Sequence, residues 1–544
     1  MREINIFLPF SLFLSLTIFG LIYGYDILNP TYDAWIFKDG YHDIIQHYMG
    51  WLFYRQSPWH FPIGLIDNLA YPYQFSMIYT DSIPILAVFF KSISFLLPDT
   101  FQYFGIWALF CLFLISFLSS LIIFKLTKNI YYSLLCSIFF ILFPVIYQRM
   151  FSHTALGGQW ILLFGLYLCV FKDVFSRIKL MFLWCIAFML AISIHAYFVP
   201  MLGFLLSGYA LSKFLKDRKI FLAILDLALP VFTLFFIMWV LGAFYFVDKT
   251  SAGGFGYYSA NLNTLFYSAP ISIFAPNIPN GLISYIFNLS IMPGQYEGYG
   301  YLGLGILVLG GFCLLLLFKN IKNIKIKIDY LIIIFILLLS FCYALSNNIY
   351  FNETKLLSIV LNPSLEQFFS TFRASGRFIW LFDYSLLIII FYFIYKNFKK
   401  SVLVLVFACL CLQCYDLKDF FIRFKKESNM IYQNDFLSKL PKGKNIVICD
   451  SPFLSNIDEM FDYSKNIFNL AYYAYRNSTS INDFYIARKN EKKILEYKIL
   501  IQSELNMGKL RDDAIYVFTT DYYKNYDSVL DFKNINGYMF GWKK

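Results

Sequence analysis

Apolar residues form long continuous stretches over the first 415 positions of this chain, and polar residues collect in the gaps between them. YLGLGILVLGGFCLLLLF and YLIIIFILLLSFCYAL are two such stretches. About 20 apolar residues in helical form cross a hydrocarbon core roughly 30 Å thick, and a helix satisfies its own backbone groups in lipid. The pattern therefore predicts an α-helical polytopic membrane domain over residues 1–415 with eleven transmembrane helices. The predicted spans are 5–24, 103–124, 130–147, 158–171, 180–198, 200–212, 220–245, 301–318, 329–346, 377–395 and 401–415.

Short basic segments between these spans indicate the orientation of the chain, because lysine and arginine are enriched in cytoplasmic loops. The basic segments are 125–128, 172–179, 213–219, 319–327 and 396–400. Eleven crossings then place the N-terminus in the cytoplasm and the long loops 25–102, 246–300 and 347–376 outside. The short apolar run 83–97 carries Lys91 and would break this alternation if it crossed. We interpret it as an interfacial helix within the first outer loop.

The composition becomes charged and polar after residue 415. KNIVICD and AIYVFTT have the pattern of buried strands, and NEKKILEYKILIQSEL has the pattern of an amphipathic helix. About 125 residues are enough for a small domain. We therefore predict a soluble extracytoplasmic α/β domain over residues 416–544.

Composition and charge narrow the classes of partner. The chain is 59% hydrophobic and carries a formal net charge of +11. A basic balance can indicate a nucleic-acid partner, but here the positive residues lie in short loops between apolar spans. The ten cysteines show neither a disulfide framework nor a metal-binding spacing. We therefore expect the lipid bilayer as a partner and no nucleic acid.

The stretch FKDGYHDIIQHYMGW, residues 37–51, concentrates acids and a histidine in the first outer loop. Asp39 is placed to cap a helix, and Asp43 and His47 then lie one turn apart on one face. An acid that pairs with an imidazole in a pocket can act as a general base. In the alternative interpretation the two acids only cap the helix and complement its dipole. A divalent metal held by Asp43, His47 and another acid is a further alternative, which no zinc-like spacing indicates.

Further candidate residues lie in the other outer segments. Arg373 and Arg377, in FRASGRFIW, are four residues apart at a predicted helix end, where two guanidiniums could bind a phosphate or diphosphate or could anchor the helix at the interface. Asp81, in IYTDSIP, precedes the interfacial helix, and Glu297, in PGQYEGYGYLGLG, could accept a hydrogen bond from a substrate hydroxyl or be an ordinary loop acid. His153 lies near a helix end, where polar residues are functional candidates. The remaining polar candidates of the same face are Asp33 and His195.

Several of these motifs resemble a known group of proteins. HDIIQHYMGWLFYRQSPWHFPIGL, YTDSIPILA, FQYFGIW, EGYGYLGLG and FRASGRFIW look like an uncharacterised bacterial multi-spanning inner-membrane protein family, which in turn resembles the GT-C superfamily of glycosyltransferases. The architecture is similar as well, with an acid-bearing first outer loop, an interfacial helix, a multi-helix body and an extracytoplasmic C-terminal domain. The resemblance implies a location in the bacterial inner membrane, with the C-terminal domain in the periplasm.

The same resemblance implies an inverting glycosyltransferase that moves a sugar from a polyprenyl-phosphate donor to a glycan, lipid or protein acceptor. An acid of the first outer loop would activate the acceptor, with Asp43 as the first candidate, Asp39 as the second and Asp33 as the third. Arg373 and Arg377 would stabilise the lipid phosphate that leaves. Substrate contacts would also come from His47, Asp81, Glu297 and His153. The sequence lacks the adjacent acidic pair of several GT-C families, since Asp39 and Asp43 are one helical turn apart. No cofactor is certain, and a divalent metal stays an alternative that the sequence does not indicate.

Two other functions compete with this one. A glycolipid transporter or flippase predicts acids and broken helices near the middle of the bilayer, whereas the predicted spans hold few acids in their centres. A non-catalytic protein of envelope-polysaccharide assembly is the third interpretation. Only the loss of activity after a change of Asp43 separates it from an enzyme.

Overall fold

The computed structural model describes residues 3–37, 43–150, 152–247, 254–268, 282–320, 328–398, 401–428, 440–450, 457–488, 490–519, 521–535 and 538–544. It is mostly helical, at 64%. The chain divides into two compact units. The helical unit comprises Met1–Asn29, Tyr103–Phe235 and Ser251–Ser428, and the α/β unit comprises Pro30–Gln102, Phe236–Thr250 and Asn429–Lys544.

The helical unit is built from apolar helices whose positions agree with the predicted spans. Among the described residues, six helices are long and apolar enough to cross a membrane, and a pair bent by 44° makes a seventh if it counts as one span. The number of eleven crossings stays a prediction. The helices that coincide with the eleven predicted segments are Ile4–Ile22, Phe104–Thr127, Ile130–Ile141 with Pro144–Met150, Trp160–Val170, Arg177–Ile194, Phe198–Asp217, Ile220–Val240, Leu304–Asn320, Ile328–Leu345, Ile379–Phe398 and Val402–Ser428. Shorter elements of the unit are the helices Leu282–Ile286 and Pro363–Phe369 and the strands Asn348–Phe351 and Thr354–Ser358.

Small residues and hydrogen bonds hold the helices of this unit together. A Cβ atom at Gly305 would lie 2.1 Å from the carbonyl oxygen of Cys409, so the two helices touch through their backbones, as small residues permit in membrane bundles. The Tyr132 hydroxyl donates to the carbonyl of Phe391 over 2.7 Å. Close helix packing of this kind fixes the helix ends on which the candidate side chains lie.

The helix Val402–Ser428 continues through position 415, where the composition changes. The first strand of the C-terminal region begins only at Asn445. The polar sequence after residue 415 therefore starts as the last turns of a helix that belongs to the helical unit.

The α/β unit contains a four-stranded mixed sheet. Asn445–Ile448 pairs in parallel with Ala514–Phe518, which pairs antiparallel with Tyr538–Lys543, which in turn pairs antiparallel with Leu530–Ile535. The helix Glu491–Asn506 packs on the sheet through Tyr497, Ile501 and Leu505. The predicted strands in KNIVICD and AIYVFTT and the predicted amphipathic helix are thereby confirmed. The other elements of this unit are the helices Asp43–Gln56, Pro84–Ser92 and Ile457–Arg476 and the hairpin Leu65–Ala70 with Tyr73–Ser76.

Main-chain hydrogen bonds join the first long loop to the C-terminal region within this unit. The Tyr71 N–H donates to the Ile481 carbonyl over 2.9 Å, and the Ile481 N–H donates to the Asn68 carbonyl over 2.8 Å. The Ala487 N–H likewise donates to the carbonyl of Tyr79 over 3.0 Å. Residues 30–102 and the C-terminal region thus fold as one compact body.

The run predicted as an interfacial helix forms the helix Pro84–Ser92, followed by a 3₁₀ turn, Ser94–Leu96. Lys91 points inward, with its Nζ 4.0 Å from the Tyr54 ring centroid and 4.6 Å from that of Trp59. Burial lowers the pKa of Lys91 to about 8. The aromatic rings therefore partly replace the water that the ammonium group loses.

Candidate functional site

A buried cluster of three charged side chains lies in the helical unit, and we call Glu297, Arg149 and Arg377 the Glu297 cluster. Arg377 donates two hydrogen bonds to the Glu297 carboxylate, from Nε to Oε2 over 2.8 Å and from Nη2 to Oε1 over 3.0 Å. Nη2 of Arg149 lies 2.7 Å from Oε2. All three residues are less than 9% exposed. Charge-assisted bidentate pairs of this kind are strong and geometrically specific.

Local sequence explains how these side chains reach one another. Glu297 lies in the 3₁₀ turn Pro293–Gly298, and Arg377 lies in the 3₁₀ turn Ser375–Phe378. A Cβ atom at Gly376 would lie 2.7 Å from the Cα atom of Gly298. Glycine therefore allows the two turns to touch backbone to backbone. Arg149 comes from the short helix Pro144–Met150, which follows the bend.

The charges of the Glu297 cluster do not cancel. Burial raises the pKa of the Glu297 carboxyl, but the guanidiniums of Arg149 and Arg377 lower that pKa more, so it lies below its ordinary value. Within the cluster two guanidiniums face one ionised carboxylate, so the three side chains together carry one net positive charge. Such a site favours the approach of an anion.

Aromatic rings fix the guanidiniums of Arg373 and Arg377. The Arg377 guanidinium lies 4.4 Å from the ring centroid of Tyr197, and that of Arg373 lies 5.2 Å from the ring centroid of Tyr258. The Tyr197 hydroxyl accepts a hydrogen bond from the Ala374 N–H over 2.9 Å. Arg373 is exposed whereas Arg377 is buried. Of the two arginines, Arg373 is therefore the one whose charge faces outward.

Two histidines lie beside the cluster. The rings of His153 and His195 are 5.0 Å apart between centroids. Burial lowers the pKa of His153, and the positive charges of Arg377 and Arg149 lower it further, to well below its ordinary value. Both effects favour the neutral form of the His153 imidazole. The Nδ1 atom of His195 accepts a hydrogen bond from the Tyr197 N–H over 3.1 Å.

The acids of the first loop lie in the α/β unit. Asp43 is the first residue of the helix Asp43–Gln56, and His47 follows one turn later and is completely buried. A ring nitrogen of His47 and a carboxylate oxygen of Asp81 lie within 4.8 Å of each other. Asp39 lies outside the described residues, so the predicted cap is not part of this description.

The turn that carries Asp81 has an unusual backbone. Asp81 and Ile83 both have positive φ angles, 52° and 53°. A β-branched residue rarely adopts this conformation, and such strained positions are frequent at functional sites. The Ser82 hydroxyl between them donates to the His47 carbonyl over 2.7 Å. A Cβ atom at Gly50 would lie 2.4 Å from that hydroxyl oxygen, so glycine lets the helix press against the turn.

Asp33, the third candidate base, is engaged by two tyrosines. The hydroxyls of Tyr48 and Tyr472 both donate to Oδ2 of Asp33, over 3.2 Å and 3.4 Å. Burial raises the pKa of Asp33 above its ordinary value, although these hydrogen bonds lower it in part. This carboxylate holds the first loop to the C-terminal region of the same unit.

The capacity of these residues for metal binding is limited within each unit. His47 and Asp81 together offer one nitrogen and one carboxylate donor, both of which are common zinc ligands. A tetrahedral site needs more ligands than this pair supplies. Within either unit alone, the described residues bring no three His, Cys, Asp or Glu ligand atoms together.

Sequence reasoning missed three residues that the structure makes prominent. Arg149 completes the Glu297 cluster, Tyr197 holds Arg377, and Asp383 is a fully buried carboxyl inside a helix. The signal for Arg149 was present, because an arginine one turn before His153 at a break between apolar spans is unusual. Asp383 was hidden by the apolar residues around it.

Comparison with curated proteins finds no match for this chain. Two family models do match. The model described as "DUF6311 C-terminal domain" covers residues 451–541, and the model described as "Domain of unknown function (DUF6311)" covers residues 12–418. The second match spans most of the helical unit and the acid-bearing first loop, so the chain belongs to the DUF6311 family.

Proposed function

We propose that this protein is an inverting membrane glycosyltransferase. It moves a sugar from a polyprenyl-phosphate donor to a glycan, lipid or protein acceptor on the outer face of the bacterial inner membrane. The observation that carries the proposal is the Glu297 cluster, whose net positive charge is buried at the start of the helical segment Ser375–Phe398, which is long and apolar enough to cross a membrane.

The chemistry of the reaction suits these groups. The bond between the anomeric carbon and the phosphate oxygen breaks as the acceptor oxygen attacks, and negative charge grows on the departing lipid phosphate. Fixed positive charge that is already in place stabilises this developing charge without reorganisation. Arg373, which is exposed and stacked on Tyr258, is the guanidinium we assign to the phosphate. The guanidiniums of Arg149 and Arg377 add to the positive electrostatic potential of the same unit.

The acceptor hydroxyl must lose its proton as it attacks. Asp43, at the N-terminus of its helix and one turn from His47, is the carboxylate we assign to this proton. A carboxylate takes a proton efficiently when it lies within hydrogen-bond reach. His47 and Asp81 are assigned to acceptor contacts, with Asp39 as the alternative base.

The proposed topology has eleven crossings, with the N-terminus in the cytoplasm and the C-terminal domain outside. Eleven apolar segments coincide with helices, and the basic connections between them favour this orientation. Phe89 of the helix Pro84–Ser92 exposes 57% of its surface, and Phe95 and Leu96 of the turn that follows expose 83% and 70%. Such an apolar edge supports an interfacial position on the outer leaflet.

Lipid and glycan analysis of a deletion strain tests this proposal. We expect deletion to remove one surface glycan and to cause its polyprenyl-phosphate-linked sugar to accumulate, both measured by mass spectrometry. In the deletion strain complemented with Arg373→Gln, we expect the protein at wild-type abundance. The amount of the glycan should be lower by about tenfold or more than with the wild-type gene, since a charge-assisted contact to the phosphate is lost.

Lys355→Gln is the matched control, because Lys355 is also exposed and stacked on a tyrosine, at 5.6 Å from the Tyr350 centroid. This control should leave the glycan unchanged. A deletion strain with normal glycans and normal lipid-linked sugars would overturn the proposal. Accumulated lipid-linked sugar that resists a membrane-impermeant oxidant added outside would favour a flippase instead.

One observation favours the transporter alternative, and it concerns Asp383. This residue lies about two helical turns inside the span Ser375–Phe398 and is completely buried. Among the described residues, neither of its carboxyl oxygens has a hydrogen-bond partner. Ionisable groups inside membrane helices often serve ion or substrate pathways.

Substitution of Asp383 separates the two functions. Under the transferase proposal, Asp383→Asn should leave the glycan unchanged. It should raise the free energy of unfolding by about 1–2 kcal/mol, because an amide costs less to bury than a carboxyl that can ionise. Asp226→Asn is the contrast, since that buried acid pairs with Arg177 and its loss should destabilise the protein. Differential scanning fluorimetry of the purified variants measures both effects. Loss of the glycan with stable Asp383→Asn protein would support the transporter.

A further inference from the structure

A polar cleft of about 220 Å³ opens in the α/β unit, and Asp43 is not among the residues that line it. Its walls come from the hairpin of the first loop, from residues 478–482 and from the edge of the sheet. The paired backbones of Tyr71, Ile481 and Asn68 hold the hairpin wall in place. The cleft therefore has fixed walls built from segments that are distant in the sequence.

Inner side chains of the cleft form its frame. Oδ1 of Asn445 accepts hydrogen bonds from the N–H and the hydroxyl of Ser480, over 2.9 Å and 3.0 Å. Asn482 accepts from the Ile448 N–H over 2.7 Å and donates to the Ile448 carbonyl over 3.0 Å. Nδ2 of Asn445 donates to Oδ2 of Asp513 over 2.8 Å. Both amides are therefore hydrogen-bonded within the protein, so ligand contacts must come from the side chains at the mouth, including Oδ1 of Asp513.

Side chains at the mouth are exposed and carry hydroxyl, amide and carboxylate groups. Asn68, Ser478 and Asp513 are exposed, and Tyr71 exposes 44% of its surface beside them. Asn68 and Ser478 hold positive φ angles of 64° and 54°. A serine in the left-handed conformation is uncommon, and strained residues of this kind collect at ligand-binding sites.

The charge of the cleft excludes a phosphate as its preferred ligand. Among the described lining residues, Arg511 is the one guanidinium. Its Nη2 lies 2.7 Å from Oε2 of Glu504, and its Nη1 donates to the Tyr497 hydroxyl over 3.2 Å. This positive charge is already neutralised, and Asp513 adds a negative one. An apolar ligand is excluded as well, because it would leave these polar groups without water.

We propose that this cleft binds one neutral sugar ring of a glycan. The ring hydroxyls exchange hydrogen bonds with Asn68, Ser478 and Asp513, and the apolar face of the ring packs on Tyr71. The inference that this sugar belongs to the acceptor rests on the proposed transferase function. Binding of a sugar in the cleft can be measured whether or not the protein transfers one.

Binding of the detergent-solubilised full chain to an array of bacterial surface oligosaccharides tests the inference. The array glycan that is retained most strongly is then titrated with each variant. Tyr71→Ala should weaken binding by about tenfold or more, whereas Tyr71→Phe should keep it, since the ring remains. Asn68→Gly keeps the left-handed backbone and should weaken binding several-fold if Tyr71→Ala does not fold. Asp531→Asn, an exposed acid of the same sheet, should have no effect.

Two results would overturn the cleft as a glycan site. One is a wild-type chain that retains no array glycan. The other is a retained glycan whose affinity ignores all of the cleft variants. The deletion strain tests the transferase proposal separately. If deletion removes the surface glycan but the cleft variants bind like wild type, the transferase proposal stands and only the cleft proposal fails.

Discussion

Replacement of Glu297 by glutamine is expected to destabilise the helical unit by about 3–5 kcal/mol, because the removal of one partner from a buried ion pair leaves the other charge uncompensated. In this protein two guanidiniums, those of Arg149 and Arg377, would lose the Glu297 carboxylate in a setting less than 9% exposed. The measurement is the melting temperature of the variant purified in detergent.

The geometry also predicts an order among the variants. Arg149→Leu should cost less than Glu297→Gln, because the bidentate Arg377–Glu297 pair survives and the net charge of the cluster falls to zero. Glu366→Gln, at an exposed acid of the helix Pro363–Phe369, should stay within about 0.5 kcal/mol of wild type. A Glu297→Gln protein that melts with the wild type would mean that the cluster contributes little to stability.

The apolar segments could be predicted because a helix long enough to cross a membrane needs a long continuous run of apolar residues. Each of the eleven predicted segments coincides with a helix, and among the described residues six single helices, or seven if the bent pair counts as one span, are long and apolar enough to cross a membrane. The predicted helix ends were less accurate. The helix Val402–Ser428 runs well past the predicted end at 415, because a change from apolar to polar composition does not by itself end a helix.

The Glu297 cluster could not be assembled from the sequence. Glu297 and Arg377 are 80 residues apart, and Arg149 precedes Glu297 by 148. Each residue was visible as an unusual polar position, but the pairing depends on the contact between Gly298 and Gly376, which no local pattern encodes. The sequence predicts phosphate binding for Arg377 and a substrate hydroxyl for Glu297, whereas in the structure the two side chains bind each other.

The α/β unit shows the same limit at larger scale. Its strands and its amphipathic helix follow from alternation and charge, and both are confirmed. The union of residues 30–102 with the C-terminal region rests on main-chain hydrogen bonds such as those between Tyr71 and Ile481. A main-chain hydrogen bond between two distant segments does not require a particular side chain at either residue, so no local pattern identifies these pairs.

Replacement of Asp43 by asparagine is expected to abolish the surface glycan in the complemented deletion strain, with a fall of at least about 100-fold, the usual contribution of a general base. Asparagine has the same shape as aspartate and is equally compatible with a helix N-terminus. The fold and the membrane abundance should therefore be retained. Quantitative glycan profiling beside an immunoblot of the membrane fraction measures the two quantities together.

Asp99→Asn provides the matched control, because Asp99 is an exposed acid of the same loop. Arg55 and Tyr475 donate hydrogen bonds to its backbone carbonyl, which the substitution leaves in place. A normal glycan in this control excludes a general effect of lost charge on the loop. If Asp43→Asn also leaves the glycan intact while deletion of the chain removes it, Asp43 is not the base. The proton would then have to go to Asp39 or to Asp33, the third candidate. An unchanged glycan in Asp39→Asn and in Asp33→Asn as well would leave the chain with a non-enzymatic function in envelope assembly. Because Asp39 and Asp43 belong to one short stretch of the first loop, the variants at these two positions together decide whether that stretch supplies the base.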